Sequence, residues 1–453
     1  MARPLLIVPS ETQVREFDAK LLLACVAAER GYRVVVGSRV DIHLGVGRFD
    51  RGVYLAKDVK RSSRRMFSIL AGLGHRIVSC DEEGLIVLSA EHYWDTRLDP
   101  GALALVDAQM TWGQAEADIL ARYPSHTGIP VHVTGNARGD LMRPEFHGFF
   151  DREVASIRER FGRPILVNTN FSIVNPYFSS LSKYSAATLA EKKSDAHFAN
   201  VEFREFRADM FARMRALVPE LAAAFPDTQI VVRPHPGENA AAWREAAAAS
   251  SNAHVVFEGA VVPWLLASTA LVHNGCTTAV EAGVLGVPAI AYEPVRSELY
   301  AEDIANGLSR SVSSPSELFD VVRSAAAGDS DADGAVARNE PGARARLVHH
   351  LASLDGALAS ERILDVVDAL DPGDTPPRGE RVAARLHAEA RALTKRVNAL
   401  VPGHKNNATY TRHRFPGLTE YQVRERIGRL AAASGRFSDV EVYPLGKNIF
   451  EIR

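Results

Sequence analysis

Short apolar runs rich in β-favouring residues alternate with helical patterns through most of the 453-residue chain, and this rhythm constrains the fold more than any other feature. Residues 5–8 read as a buried strand and 15–30 as a helix with Phe17, Leu21, Leu22 and Val26 on one face. A second strand follows at 32–36. The alternation continues through 52–56, a basic helix around 61–73, and strands at 75–79, 104–107, 131–134 and 164–168. After a helix at 206–225 it resumes with strands at 229–232, 254–257, 270–272 and 288–292. Strands joined by helices pair in parallel and are covered on both faces, so the chain is expected to be α/β with two doubly wound, Rossmann-like domains. The boundaries fall at 1–172 and 206–372, with an aperiodic inserted segment at 173–205 and an α+β extension at 373–453.

Composition narrows the function classes. A net charge of −2 gives no global attraction to nucleic acid. No run approaches the roughly 20 apolar residues that cross a bilayer, and the apolar start is too short for a signal peptide, so a cytoplasmic protein is expected. Cys25, Cys80 and Cys276 are far apart, without a CxxC pair or a histidine cluster, which argues against a disulfide scaffold or structural zinc. From Pro376 onward the charge is about +8, and Arg and Ala alternate on a helical period over 381–400. That helix is expected to pack back on the first domain with a solvated basic face. Peripheral contact with anionic headgroups of the inner membrane is the alternative for it.

Three short constellations fall where strands end, the edge at which open α/β sheets bind ligands. Ser79-Cys-Asp-Glu-Glu-Gly84 sets Asp81, Glu82 and Glu83 before a glycine; crowded carboxylates suit a general base. Val231-Val-Arg-Pro-His-Pro-Gly237 holds His235 between two prolines, which stiffen its backbone, with Arg233 and Pro236 beside it. Such a histidine can donate to a leaving phosphate, with Arg233 adding fixed positive charge. In the third, a strand ends at His273 and passes through Asn274, Gly275 and Cys276 into a helix that begins at Thr277 or Thr278, with Glu281 one turn on. Its unpaired N–H groups and positive dipole end suit a phosphate, so His273, Asn274, Gly275, Thr277 and Thr278 are expected to form a phosphate cradle, with Glu281 facing the same cleft. Glu258 and Gly259 end a further strand and are candidates for nucleoside contact. In the inserted segment, Tyr177, Lys183 and Tyr184 are candidate acceptor contacts.

These motifs, in this order, resemble those of bacterial sialyltransferases and related GT-B glycosyltransferases that use CMP-activated sugars, and the chain looks like a bacterial surface-carbohydrate (capsule or lipopolysaccharide) biosynthesis protein. The resemblance implies two domains facing a cleft and Glu82 as base on the acceptor hydroxyl, with Glu83 and Gly84 completing that motif. It also implies His235 on the nucleotide phosphate and Thr277 and Thr278 binding it. Asp81 is an additional acid that leaves the choice of base open. The donor would be CMP-linked sialic-acid-like nonulosonate or Kdo, and the acceptor a glycan or glycolipid. No metal and no cofactor beyond the nucleotide-sugar co-substrate are expected. Alternatives are a UDP-sugar epimerase or transferase, a polyol-phosphate polymer phosphotransferase, and a non-catalytic glycan-binding protein. Stereochemistry and oligomeric state are left open.

Overall fold

The computed structural model describes residues 5–87, 89–177, 201–297, 303–329, 342–402, 404 and 406–453. The chain forms two units, residues 1–149 with 348–453, and residues 150–347.

The first unit is built on an eight-stranded sheet. Its strands are β1 (Leu5–Ser10), β2 (Arg33–Ser38), β3 (Gly52–Ala56), β4 (Arg76–Cys80), β5 (Ala108–Thr111), β6 (Val131–Val133), and two late ones that belong to β13 (Val442–Gly446) and β14 (Ile449–Ile452). The order is β13-β14-β2-β1-β3-β4-β5-β6. Strands β1 to β6 are parallel, while β14 pairs antiparallel with β2, Phe450 opposite Val36. Every residue of β1 is buried, as a central strand covered on both faces requires. The chain leaves β1 to one side for β2 and returns to the other for β3, so the topological switch point lies at the carboxyl ends of β1 and β3.

The second unit holds β7 (Ile165–Asn168), β8 (Ile230–Arg233), β9 (Ala253–Val255), β10 (Ala270–His273), β11 (Ala289–Tyr292) and β12 (Arg310–Val312). They form one parallel sheet in the order β12-β11-β10-β7-β8-β9. The two faces of the sheet feed two cores by the period-2 alternation of strands. Val167, Val232, Val272 and Ile290 pack with Met214 and Leu217 of the helix Val201–Ala224. Leu166, Val231, Leu271 and Ala289 pack with Trp264 and Leu265. Here the switch point lies between β7 and β10.

The expected fold class is the observed one, but the boundaries differ. The strand at 164–168, read as the last of the first domain, is the central strand of the second sheet. A buried apolar run does not state which of two similar sheets it joins. The residues from 348 onward, read partly as second domain and partly as extension, belong to the first unit, and their last strands complete its sheet. Residues 104–107 are not a strand; the strand starts at Ala108, after the helix Pro100–Leu103. Strand β12, short and half polar, was not anticipated. The basic helix is Arg378–Ala399, and it packs on the first unit through Ala384, Ala388 and Ala392. A methyl added at Gly72 of the helix Arg64–Leu73 would come within 2.9 Å of the Ala384 methyl, so both helices use small residues to approach closely.

Candidate functional site

In the first unit the three consecutive acids are separated into three environments. Asp81 accepts from Arg97 Nε (2.8 Å), from the Tyr93 hydroxyl (3.1 Å) and from the Glu83 backbone N–H (3.0 Å), and its carbonyl accepts from the Trp112 indole (2.6 Å). It anchors the turn. Glu83 is the most exposed of the three and is paired with Arg15. Glu82 is buried, pairs with Lys20 Nζ through Oε1 (3.0 Å), and has no hydrogen-bond partner for Oε2 among the described residues.

Lys20 explains how a buried carboxylate is tolerated there. Its three ammonium protons meet three acceptors: Pro9 O (2.7 Å), Glu16 Oε2 (3.0 Å) and Glu82 Oε1 (3.0 Å). Burial alone would lower the Lys20 pKa, but Glu16 and Glu82 outweigh it and raise it, so the ammonium stays charged. Glu16 and Lys20 line a cavity of about 20 Å³ of mixed character, with Lys57, Glu82, Asn136 and Arg138 on its polar side and Leu23, Leu55 and Ile363 among its apolar lining, enough for about one water or one hydroxyl. At the neighbouring end of β1, Glu11 receives Arg39 (2.7 Å), Lys57 (2.6 Å) and Arg414 (2.7 Å). Burial favours its acid form, yet these cations hold its pKa well below the usual range. Arg414 comes from the chain's last segment, a partner that sequence spacing could not reveal.

Glycine 84 is explained by sterics. A methyl there would lie 2.2 Å from Glu116 Oε1, so the glycine makes room for a fourth carboxyl that the sequence reading missed. Glu116, in the first turn of the helix Gln114–Ala121, accepts the Trp112 N–H (2.8 Å) on Oε2, and its Oε1 lies 2.8 Å from the Tyr93 oxygen. Tyr93 gives its single proton to Asp81, so a protonated Glu116 is the donor in that contact. Burial, then the nearby Asp81 charge, raises its pKa to about 8. A carboxyl that keeps its proton in the folded chain but loses it near 4.3 when unfolded makes stability fall as pH rises across that window. Urea unfolding midpoints are therefore expected to decline from pH 5 to pH 8, and Glu116→Gln should flatten the decline. An equal slope in the variant would contradict the assignment.

In the second unit the carboxyl ends of β8, β7 and β10 lie side by side, the outer two about 10 Å apart at normal strand spacing. His235 is half-buried, and its Nδ1 accepts the Gly237 N–H (3.0 Å). The neutral ring therefore carries its proton on Nε2, as a donor. The turn is fixed by Glu238, which sequence reading passed over. Its Oε1 accepts the Thr169 hydroxyl (2.7 Å) and the backbone N–H of Phe171 (3.0 Å) and His235 (3.1 Å), and its Oε2 accepts the Trp243 indole (2.9 Å). Burial raises the Glu238 pKa against these bonds, each of which lowers it. Tyr177 donates its N–H to Gly237 O (2.7 Å), which places it beside this turn. Lys183 and Tyr184 lie outside the described residues.

Arg233 points elsewhere than a phosphate. It donates to the carbonyls of Glu258 (2.9 Å) and Gly259 (2.8 Å) and sits 5.1 Å from the Trp264 ring centre, and burial lowers its pKa to about 10. It holds the 258–259 turn, where Gly259 has φ +67°. Glu258 itself is exposed and paired with Arg160.

His273 is likewise a positioning residue. It is fully buried, which lowers its pKa to about 3. Its Nδ1 accepts the Gly275 N–H (3.0 Å), so the neutral ring donates from Nε2 to Ser309 Oγ (2.9 Å). That bond shapes the turn at Gly275, whose φ of +82° suits glycine. Next to it the nine-residue helix Thr277–Leu285 starts at Cys276 with no side-chain cap, and Thr277 and Thr278 are half-buried. Burial pushes the Cys276 thiol up to about 11, which leaves it inert. Glu281 is buried on the same helix.

Two asparagines complete the edge. Asn274 is buried with neither Oδ1 nor Nδ2 hydrogen-bonded among the described residues, and Asn168 Oδ1, at the end of β7, is in the same state. Buried polar atoms without partners are uncommon and mark places where a ligand or water belongs. Asn168 sits in a strand-end run, Asn168-Thr169-Asn170, whose polarity after an apolar strand was the available signal.

Among the described residues, no group of three or more His, Cys, Asp or Glu is placed to hold a metal ion, and no helix is long and apolar enough to cross a membrane. An Asp-x-Asp spacing occurs at Asp329-Ser330-Asp331-Ala332-Asp333, of which only Asp329 is described.

No protein-family model and no curated protein matches the sequence. Among solved structures the chain is similar to UDP-GlcNAc 2-epimerase from Neisseria meningitidis bound to UDP-GlcNAc, at 12% identity over 80% of this chain and 98% of that one, TM-score 0.46. It is similar to the wall teichoic acid polymerase TagF at 9% identity over 81% of this chain and 88% of that one, TM-score 0.46. It is also similar to Anabaena HepE in complex with UDP and glucose, at 12% identity over 82% and 100%, TM-score 0.42. At such identities and scores the likeness concerns the fold and assigns no residue a role.

Proposed function

We propose that this protein is a glycosyltransferase of GT-B type that moves a sugar from a nucleotide donor to a hydroxyl of a bacterial surface glycan. The observation that carries this reading is the edge at β7, β8 and β10. An uncapped helix start at Thr277 and Thr278, the buried Asn274 whose Nδ2 has no partner among the described residues, and a His235 whose neutral tautomer carries its proton on Nε2 together offer donors to an anionic group. In the first unit Glu82 supports the reading separately, as a buried carboxylate that lines a small cavity and whose Oε2 has no hydrogen-bond partner among the described residues.

In the mechanism, Thr277, Thr278 and the helix end hold the donor phosphate. His235 donates to it as the bond between the anomeric carbon and the phosphate oxygen breaks and the nucleotide leaves, while the acceptor hydroxyl oxygen bonds to that carbon and Glu82 takes its proton. Asp81 and Glu83 keep Glu82 in place rather than act as base. Arg233, His273 and Gly275 position the two turns; Pro236 stiffens one of them, and Glu258, Gly259 and Glu281 border the nucleotide. Tyr177, with Lys183 and Tyr184, is assigned to the acceptor. The helix end offers its positive dipole to the phosphate, and the neutral imidazole adds a hydrogen bond. A CMP-linked acidic sugar is the donor the motifs imply.

The test is a thermal-shift series with CMP, CDP, UMP, UDP, GDP and ADP on the intact chain and on the Thr277→Ala/Thr278→Ala variant. A ligand that binds only the native state raises the melting temperature. CMP is expected to give the largest shift and the double variant to lose it. A larger shift with UDP would replace the donor assignment, and no shift with any nucleotide would contradict the reading.

A further inference from the structure

The helix Arg378–Ala399 buries its alanine face, Ala384, Ala388 and Ala392, against the first unit. On the opposite face Val382 is 48% exposed, Leu386 66%, Leu393 62%, Val397 56% and, just past its end, Leu400 81%. At 3.6 residues per turn these five fall within a sector of about 60°, a stripe some 27 Å long. Arg378, Arg385 and Arg396, all exposed, border the stripe on one side. The helix carries only two carboxylates, Glu380 and Glu389, of which Glu389 lies at the edge of the stripe on its arginine side. The neighbouring helix Ala408–Arg414 has no buried residue and adds exposed Arg412.

An apolar stripe beside arginines, on a helix already anchored by its other face, is left uncovered by every described residue of the chain. We infer that this face is a docking surface for an anionic lipid bilayer, with the leucines and valines entering the headgroup boundary and the arginines pairing with lipid phosphates. The charge pattern selects this occupant. A second copy docked antiparallel about a two-fold axis would set the arginine flank against itself, whereas an anionic membrane complements it. The inference stands independently of the proposed chemistry, and it would bring the protein to the surface on which glycolipid acceptors reside.

The experiment is co-sedimentation of the full chain with vesicles of phosphatidylglycerol and phosphatidylcholine in equal parts, and with phosphatidylcholine alone. Binding is expected to the anionic vesicles and to fall at least tenfold between 50 mM and 500 mM salt. Leu386→Glu with Leu393→Glu should reduce it at least tenfold at low salt. Arg378→Glu, Arg385→Glu and Arg396→Glu together should reduce it about a hundredfold, since each arginine near an anionic surface is worth about a factor of five. These positions are exposed, so unchanged circular dichroism melting certifies the fold of each variant. Failure of the intact chain to sediment with anionic vesicles overturns the inference, as does binding that both sets of variants leave unchanged. A dimer that Leu386→Glu with Leu393→Glu splits, without vesicle binding, assigns the face to a second copy instead.

Discussion

Glu82→Gln is expected to lower the rate of sugar transfer by about 10²- to 10⁴-fold while the chain stays folded and still binds nucleotide. The amide oxygen can keep the Lys20 bond (3.0 Å in the parent), and Glu16 remains to balance the ammonium, so the change removes basicity and little else. Glu83→Gln serves as comparison: that side chain is 44% exposed and its partner is Arg15, so its loss should cost transfer little. Asp81→Asn should act differently again, because Asp81 takes bonds from Arg97, Tyr93 and the Glu83 backbone, and its loss should appear as instability. Assays of transfer rate against nucleotide affinity separate the three. Near-parental transfer in Glu82→Gln would remove it from the base role.

The second large effect is expected at Glu238. Four donors converge on its buried carboxylate, and Glu238→Ala leaves the Thr169 hydroxyl, two backbone N–H groups and the Trp243 indole without their acceptor. At about 1–3 kcal/mol for a buried donor left unsatisfied, partly offset by removing a buried charge, the variant should lose roughly 3–5 kcal/mol. Glu238→Gln is a finer probe. With its oxygen in the Oε1 place it keeps three bonds and sets an amide N–H₂ against the Trp243 N–H, so it should lose about 1–3 kcal/mol. Urea unfolding followed by tryptophan fluorescence reads both variants. An unchanged midpoint for Glu238→Ala would show that other contacts hold the His-Pro turn.

Much of this architecture is legible in the residues. The strands at Leu5, Gly52, Ile230, Ala270 and Ala289 announce themselves as apolar runs that end in Gly, Pro or polar turns, and the three motifs do stand at carboxyl ends of strands. Two sheets were legible, but which of them Ile165–Asn168 joins was not, because it has the same chemistry as its counterparts in the first unit. Its membership depends on pairing with Ile230 and Ala270, more than 60 residues away. The partners that give each acid its character were equally hidden. Lys20 lies 62 positions before Glu82, Arg97 lies 16 after Asp81, and Arg414 lies 403 after Glu11. Glu116 left only an indirect trace, the glycine at 84 that gives it room. Arg233 and His273 look from the sequence like phosphate ligands, and only their geometry reveals that they hold neighbouring turns.

The central claim, that a nucleotide donor is cleaved with transfer of its sugar to a glycan hydroxyl, is tested most directly by following free nucleotide in a reaction of the intact chain with a CMP-linked acidic sugar and a surface-glycan acceptor. The account predicts CMP release that depends on the acceptor, matches glycan extension, and falls at least a hundredfold in Glu82→Gln. Donor isomerised without nucleotide release, or release of CMP that neither the acceptor nor Glu82 influences, would contradict it.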